Sequence, residues 1–389
     1  MKINPDIEAC SPAPIAEAQS WLAQRTCQRP LLDVCQAVPS YLPEQTLLDY
    51  LGQSIAAGEA ATYTEIAGIE PLRLSLAQDI NARYQSQVSA DQVSITAGCN
   101  QAFCSVIDTL CQRGDEVIAA LPCYFNHDMW FSIRGIQTRW LGFNSQSAVP
   151  DPDQIDELVT ERTRAIVLVS PNNPTGAIYP PDVLQAFYDK ANHHGIALVI
   201  DETYRDFMNP GIPPHSLFQQ ANWPESFIHL YSFSKSFSLT GHRVGAVVAG
   251  RDFLRQMHKV QDCVAINAPH AGQRAAWYGL NHLTDWRDQN GSNMTDRASN
   301  IVRAFDQEGL EYQLVSAGAY FAYVRHPFSL SAYDVAKTLA TKLSILCLPG
   351  NYFGTGQEQY LRFAFANMTS DQFPVLVERL IESQQLIGS

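Results

Sequence analysis

Positive charge is scarce in this chain. Its 26 lysines and arginines face 39 acids, for a net charge of −13. No basic run interrupts that balance, which excludes nucleic acid and acidic membrane surfaces as partners. It does not exclude a small anion, for which a few local cations suffice. Long apolar stretches are also missing. The longest uninterrupted runs, such as Ile196–Ile200, have five or six residues, against the roughly 20 a membrane span needs. Residues 1–10 lack the apolar segment of a secretory leader. The nine cysteines are an odd number without metal-ligand spacing. They read as reduced, mostly buried thiols of a cytoplasmic protein, and no metal site is expected. There is no internal repeat and no low-complexity tract.

What is present suits a large globular protein. At 389 residues, 46% apolar and 17% charged, the chain is longer than a single core usually grows. Helical spacing is expected over about 15–28, 47–57 and 72–85, with a short strand at Leu31–Val34. From residue 93 strands and helices alternate. Strands are predicted at Val93–Thr96, Glu116–Ala120, Thr138–Phe143, Ala165–Val169, Ile196–Ile200, Phe227–Tyr231 and Val244–Ala249. Short, fully apolar strands between helices indicate a parallel sheet covered on both faces. After Arg251 the chain turns helical, through 273–283 and 295–307. Strands are then expected at Tyr312–Val315, Tyr320–Val324, Ile345–Leu348 and Leu361–Phe365, with helices at about 332–341 and 370–386. The fold class is α/β: a large domain with a mostly parallel sheet sandwiched by helices, plus a smaller α+β domain. The expected division is 48–290 for the large domain, and 1–47 with 291–389 for the small one.

Residues with chemistry collect just after strands, where ligands bind in open α/β sheets. Ser232-Phe233-Ser234-Lys235 sets one amine among hydroxyls, with Gly241 and Arg243 following. A lysine withdrawn from water beside another cation has a lowered pKa and attacks carbonyls. Hydroxyls and an arginine suit a phosphate monoester. The bland alternative is an exposed lysine in a serine-rich loop. Gly98, Cys99 and Asn100 join a strand to a helix whose first N–H groups make an anion site, or an ordinary capped turn. Tyr124, after the next strand, stacks on a flat ring or packs in the core. Ser170–Gly176, with two prolines and a glycine, is a rigid turn presenting Asn173. Asp201 ends an apolar strand, where an acid is costly unless paired. A protonated ring nitrogen would pair with it and become an electron sink; a helix cap is the plainer reading. Tyr204 follows within reach of a ring hydroxyl. Arg362 lies inside the apolar Leu361–Phe365, where a guanidinium calls for a carboxylate, either a ligand's or a structural one. A carbonyl compound carrying a phosphate and a ring nitrogen describes pyridoxal phosphate.

As a set, Asn173-Pro174-Thr175-Gly176, Asp201-Glu202-Thr203-Tyr204, Ser232-Phe233-Ser234-Lys235 with Gly241 and Arg243, and Arg362 resemble the class I/II aminotransferases of the fold-type I pyridoxal-phosphate enzymes. The resemblance runs from about residue 30 to the end. It implies that Lys235 holds the cofactor covalently as a Schiff base and that Asp201 pairs with the ring nitrogen. Asn173 and Tyr204 would bind the ring oxygen, and Tyr124 would stack on the ring. Ser232, Ser234, Arg243 and the backbone at Cys99 and Asn100 would hold the phosphate. Arg362, with Asn173 and the loop at Ala37, would meet the substrate. A homodimer is also implied, with Tyr63 reaching the neighbouring phosphate and Asn267 crossing over. One departure stands out. The family commonly has glycine where this chain has Ala37, and a methyl group there narrows the pocket or changes loop closure.

The reaction implied is amino transfer between an L-α-amino acid and a 2-oxo acid, with catalytic roles for Lys235, Asp201 and Tyr204. The same motifs also serve elimination or cyclisation at the same carbanion. A regulator that uses such a domain as an effector sensor beside a DNA-binding module conflicts with the acidic balance.

Overall fold

The computed structural model describes residues 1–208 and 211–388. Thirteen strands among them form three sheets. In chain order they are β1 (Leu32–Asp33), β2 (Val93–Thr96), β3 (Glu116–Ala120), β4 (Gln137–Leu141), β5 (Thr163–Val169), β6 (Ala197–Asp201), β7 (Phe227–Ser232), β8 (Gly245–Val248), β9 (Gln313–Gly318), β10 (Phe321–Arg325), β11 (Ile345–Leu346), β12 (Leu348–Pro349) and β13 (Tyr360–Phe363). The largest sheet has the order β2-β8-β7-β6-β5-β3-β4. β8 alone runs opposite to the other six strands. β3 and β7 are buried at every position and β6 at all but its first, as expected for strands with helices on both faces. Two apolar clusters cover the two faces. Ile118, Ile166, Leu198 and Tyr231 belong to one, and Val117, Val167, Val199 and Leu230 to the other, following the two-residue alternation of a strand.

The second sheet, β12-β13-β10-β9, is antiparallel throughout. β1 pairs in parallel with β11. Trp21, Leu32, Val34 and Cys35 share one apolar cluster with Met294, Leu346, Leu361 and Leu380, so the two ends of the chain meet. Phe125, Tyr204 and Phe207 also join that cluster, which brings the large sheet's loops against the second sheet.

Four expectations need correction. Ile345–Leu348 is two strands in two sheets: β11 pairs with β1, and β12 pairs with β13. The helix expected over 15–28 spans Pro14–Ser20 and tightens into a 3₁₀ turn, Trp21–Gln24, ending before residue 28, and a short helix, Pro5–Ala9, precedes it. The helix expected from 295 starts at Thr284 and runs to Phe305. It continues through Gly291, which is there for close packing: a Cβ on it would strike the carbonyl oxygen of Asp206. The cysteines are all free, but only Cys35, Cys99, Cys123 and Cys347 are buried.

The turn after β5 ties the sheets together. Asn172 Oδ1 accepts from the Thr175 N–H and hydroxyl at 3.1 and 2.9 Å, and its Nδ2 donates to Tyr179 Oη at 3.0 Å. Gly176 has φ +75°, and a Cβ on it would lie 2.5 Å from Gly318 N, Gly318 O and Phe321 O. Those atoms are backbone and cannot rotate away. Gly176→Ala should therefore cost on the order of 2 kcal/mol or more. The loss would be read as a lower urea midpoint, and an unchanged midpoint would mean the two turns can part.

Candidate active site

The C-terminal ends of β5, β6 and β7 open into a cavity of about 350 Å³. It lies beside the point where strand order reverses, between β3 and β5. Lys235, Asp201, Tyr204, Cys99, Asn100, Tyr124, Asn173, Ser232, Ser234, Arg243, Arg362 and Ala37 all line it.

Asp201 ends β6 and is buried. Its Oδ1 accepts from Thr203 N at 2.9 Å, and His127 Nε2 lies 3.5 Å from its Oδ2. Burial alone would raise this carboxyl; the His127 and Thr203 contacts outweigh it and hold the group below its ordinary value. His127 is stacked on Phe103 with ring centroids 3.7 Å apart. Sequence reasoning missed His127. It lies within an aromatic-rich helix, Phe125–Arg134, and only the tertiary fold brings it to Asp201. The next residue, Glu202, faces the other way. Tyr84 Oη donates to it at 2.6 Å, and His229 and His215 lie 2.9 and 3.3 Å from it.

Lys235 belongs to a one-turn helix, Phe233–Ser236, capped by Ser232 Oγ, which accepts from Ser234 N at 3.2 Å. Its Nζ donates to the Ala37 carbonyl. The predicted substrate loop thus meets the lysine through its backbone. Burial, then the Arg362 and Arg243 charges, lower the ammonium pKa to about 8.

The third group is a backbone cradle. Gly98, at φ +85°, starts the helix Cys99–Leu110, leaving its first N–H groups without helical partners. A Cβ on Gly98 would strike the Arg243 guanidinium, and one on Gly245 would lie 2.7 Å from Cys99 N. Only glycines allow Arg243 and β8 to come this close. Tyr124 Oη donates to Asn126 Oδ1 at 2.7 Å, and Asn100 Nδ2 does so at 3.4 Å.

Arg362 comes from β13 and is 2% exposed. Nη1 donates to Asn173 Oδ1 at 3.0 Å and Nη2 to the Cys35 carbonyl, while Nε has no partner. The guanidinium lies over Phe321 and Phe353, 5.0 and 5.2 Å from the ring centroids. Among the described residues no carboxylate lies within ion-pair reach of it, and burial lowers its pKa. The structural ion pair weighed for Arg362 is absent.

Two predicted residues lie elsewhere. Tyr63 is 78% exposed and outside the cavity. Asn267 also lies outside, its Nδ2 donating to the Ala268 carbonyl at 2.6 Å. Conversely, Ala13, Pro14 and Ile15 line the cavity without having been singled out for it, while Gln36 lies there beside Ala37, and Phe125 and Asn126 come from the aromatic-rich run Tyr124–Trp130, which by sequence reads as a pocket wall or a packed helix. Ala13–Ile15 had no local signal, because the helix start they form is ordinary.

The neutral amine is the reacting form, so a lowered pKa makes Lys235 reactive at lower pH. In cofactor-free protein, acylation of Lys235 followed by peptide mass spectrometry should rise through pH about 8, against an ordinary lysine value of 10.5. A midpoint matching the exposed lysines would contradict the electrostatics described above.

Known proteins match this chain over nearly its whole length. A family model described as aminotransferase class I and II matches residues 28–380. An aromatic aminotransferase of Arabidopsis thaliana is 26% identical, over 94% of this chain and 92% of its own. An arginine–pyruvate transaminase of Pseudomonas aeruginosa is 28% identical over 79% of each chain. The solved structure of a Thermus thermophilus aspartate aminotransferase double mutant shares the fold with a TM-score of 0.89 and 22% identity, over 98% of this chain and 99% of the other. This chain belongs to the aminotransferase class I and II family.

Proposed function

We propose that this protein uses pyridoxal phosphate to move an amino group from an L-α-amino acid to a 2-oxo acid. One observation carries the reading. Lys235, Arg243 and Arg362 all face one cavity, Asp201 is the sole carboxylate lining it, and none of the three cations is ion-paired among the described residues. The surplus of positive charge sits in a chain of net charge −13. It suits a ligand set with a phosphate and a carboxylate.

The residues fit the cofactor part by part. Arg243, the Ser232 and Ser234 hydroxyls and the N–H groups at Cys99 and Asn100 would take the phosphate. Asp201, buried and ionised, would pair with a protonated ring nitrogen. Asn173 and Tyr204 would face the ring oxygen, and Tyr124 the ring. Lys235 Nζ would hold the aldehyde carbon. When bound, the cofactor supplies an electron sink for the pair left at Cα once its proton is removed.

The chain's own groups do the rest. Arg362 Nε, the unpartnered donor, and its neighbouring N–H groups bind the substrate carboxylate. That contact orients the Cα–H bond. Lys235 Nζ, neutral above pH about 8, takes the proton from Cα and, as general acid, would deliver it to the cofactor's former aldehyde carbon, so that the amino group stays with the cofactor and water releases the 2-oxo acid. Ala13, Pro14, Ile15, Gln36, Ala37, Phe125 and Asn126, which make up most of the remaining lining, carry no charge. We assign them to the substrate side chain, and read the donor as a monocarboxylic amino acid with an uncharged side chain.

The test is the half-reaction. An amino donor without an oxo acid should convert the bound cofactor to its amine form, seen by absorbance. Neutral donors should react at least about tenfold faster than aspartate or arginine, as expected when a charge would be buried unpaired. Lys235→Ala should lose turnover by several powers of ten. Wild-type turnover in that variant would overturn the assignment, and fast conversion of aspartate would overturn the donor class.

We further propose a homodimer. Tyr63, Val264 and Ile266 are exposed, and His270 Nδ1 donates to the Thr62 carbonyl at 3.2 Å, which sets these segments side by side. Tyr63 would reach the partner's phosphate site. Sedimentation should give twice the chain mass, and a fully active monomer would refute the shared site.

A further inference from the structure

Behind the cavity lies a buried charge cluster that the catalytic reading does not use. Its centre is Asp206, in the 3₁₀ turn Arg205–Phe207 that follows Tyr204. The Asp206 side chain has no exposed surface. Its Oδ2 accepts from Ser236 Oγ at 2.6 Å and from Tyr231 Oη at 2.7 Å. These two hydroxyls are 2.8 Å apart. Its Oδ1 pairs with Arg83 at 2.8 Å, and Arg287 Nε lies 3.7 Å away. Asp79 completes the cluster, pairing with Arg287 at 2.7 Å and with Arg205. The Arg205 guanidinium lies 3.9 Å from the centroid of the Tyr231 ring.

The arrangement joins two short segments that carry the reacting groups. Ser236 is next to Lys235 on the one-turn helix Phe233–Ser236. Asp206 is two residues beyond Tyr204 and five beyond Asp201. A four-residue helix has little stability of its own, so its orientation depends on what holds its end. Burial alone would raise the Asp206 carboxyl, but the Arg83, Arg287 and Arg205 charges outweigh it and keep it ionised, so that it accepts from both hydroxyls and from Arg83 at once. Burying this much charge is costly, and an apolar cluster of similar volume would stabilise the fold as well or better. What the charges add is direction, because each bond fixes an angle as well as a distance.

We infer that Asp206 and Ser236 are positioning residues, a carboxylate–hydroxyl clamp that sets the Lys235 amine relative to Asp201 and Tyr204. The inference rests on the reading of Lys235 as the reacting amine. Removing the clamp alters no cavity-lining residue but lets the lysine turn drift, and a displacement of about 1 Å costs on the order of 100-fold in rate.

The test uses Ser236→Ala, Asp206→Asn and the double variant, in two readouts. In the holoenzyme, each single variant should lower kcat by about 10- to 100-fold while the donor KM stays within about threefold, because binding at Arg362 is untouched. In cofactor-free protein, the pH midpoint of Lys235 acylation should move in both variants. The double variant should be no worse than the weaker single one, since both act through one contact. A folded Ser236→Ala protein with wild-type kcat and an unmoved Lys235 midpoint overturns the inference, as do losses that multiply in the double variant. If Ser236→Ala does not fold, Asp206→Asn keeps the side-chain shape and gives the same readouts. If the wild type aminates no oxo acid, the transamination reading fails, while the acylation midpoint still tests the clamp.

Discussion

Three cations face one cavity with a single carboxylate among them, and the surrounding structure is arranged to keep them unneutralised. Like charges in an enclosed site repel, and each must be held without being cancelled. Neutral acceptors do this. Arg362 is gripped by the Asn173 amide, the Cys35 carbonyl and two ring faces. Lys235 is held by the Ala37 carbonyl and Arg243 by the Thr240 carbonyl, the latter at 3.0 Å. An acid in any of these places would have made a salt bridge and removed the site's affinity for anions. The cost appears in the lysine, whose pKa falls to about 8, chiefly through burial and then through the Arg362 and Arg243 charges.

A short distance behind, the opposite arrangement holds. Arg83, Arg205 and Arg287 are matched by Asp79 and Asp206. Adjacent residues are divided between the two environments. Asp201 faces the cavity, while Glu202 faces Tyr84, His215 and His229. At a strand end successive side chains point to opposite faces, so the pair Asp201-Glu202 serves the ligand with one acid and the core with the other.

Much of this was legible in the chain because the signals are local. Fully apolar strands ending in Val169 and Ile200 announced a covered parallel sheet, and the structure has it. The Ser170–Gly176 turn announced itself through two prolines and a glycine, although Asn172 rather than Asn173 fixes its shape. Other parts carried no such mark. His127 reads as one more ring in an aromatic helix. Gly291 carries no local mark of its role, which is to let the Asp206 carbonyl pack against the long helix that runs through it. Ile345–Leu348 has one continuous β pattern and belongs to two sheets, since pairing is chosen by partners far away in the chain.

The amino-acid sequence alone determined the fold class, the family resemblance and the residues around the Lys235 amine, because periodicity, turn chemistry and motif order are properties of neighbouring residues. The tertiary structure decided which polar groups meet and which stay unpaired. It set His127 against Asp201, brought Ala13–Ile15 into the cavity wall and left Arg362 Nε without a partner. It also joined Asp206 to Ser236, 30 residues apart in the chain. Pairing and its absence depend on distances of a few ångströms between segments far apart in the chain, and no local pattern encodes those distances.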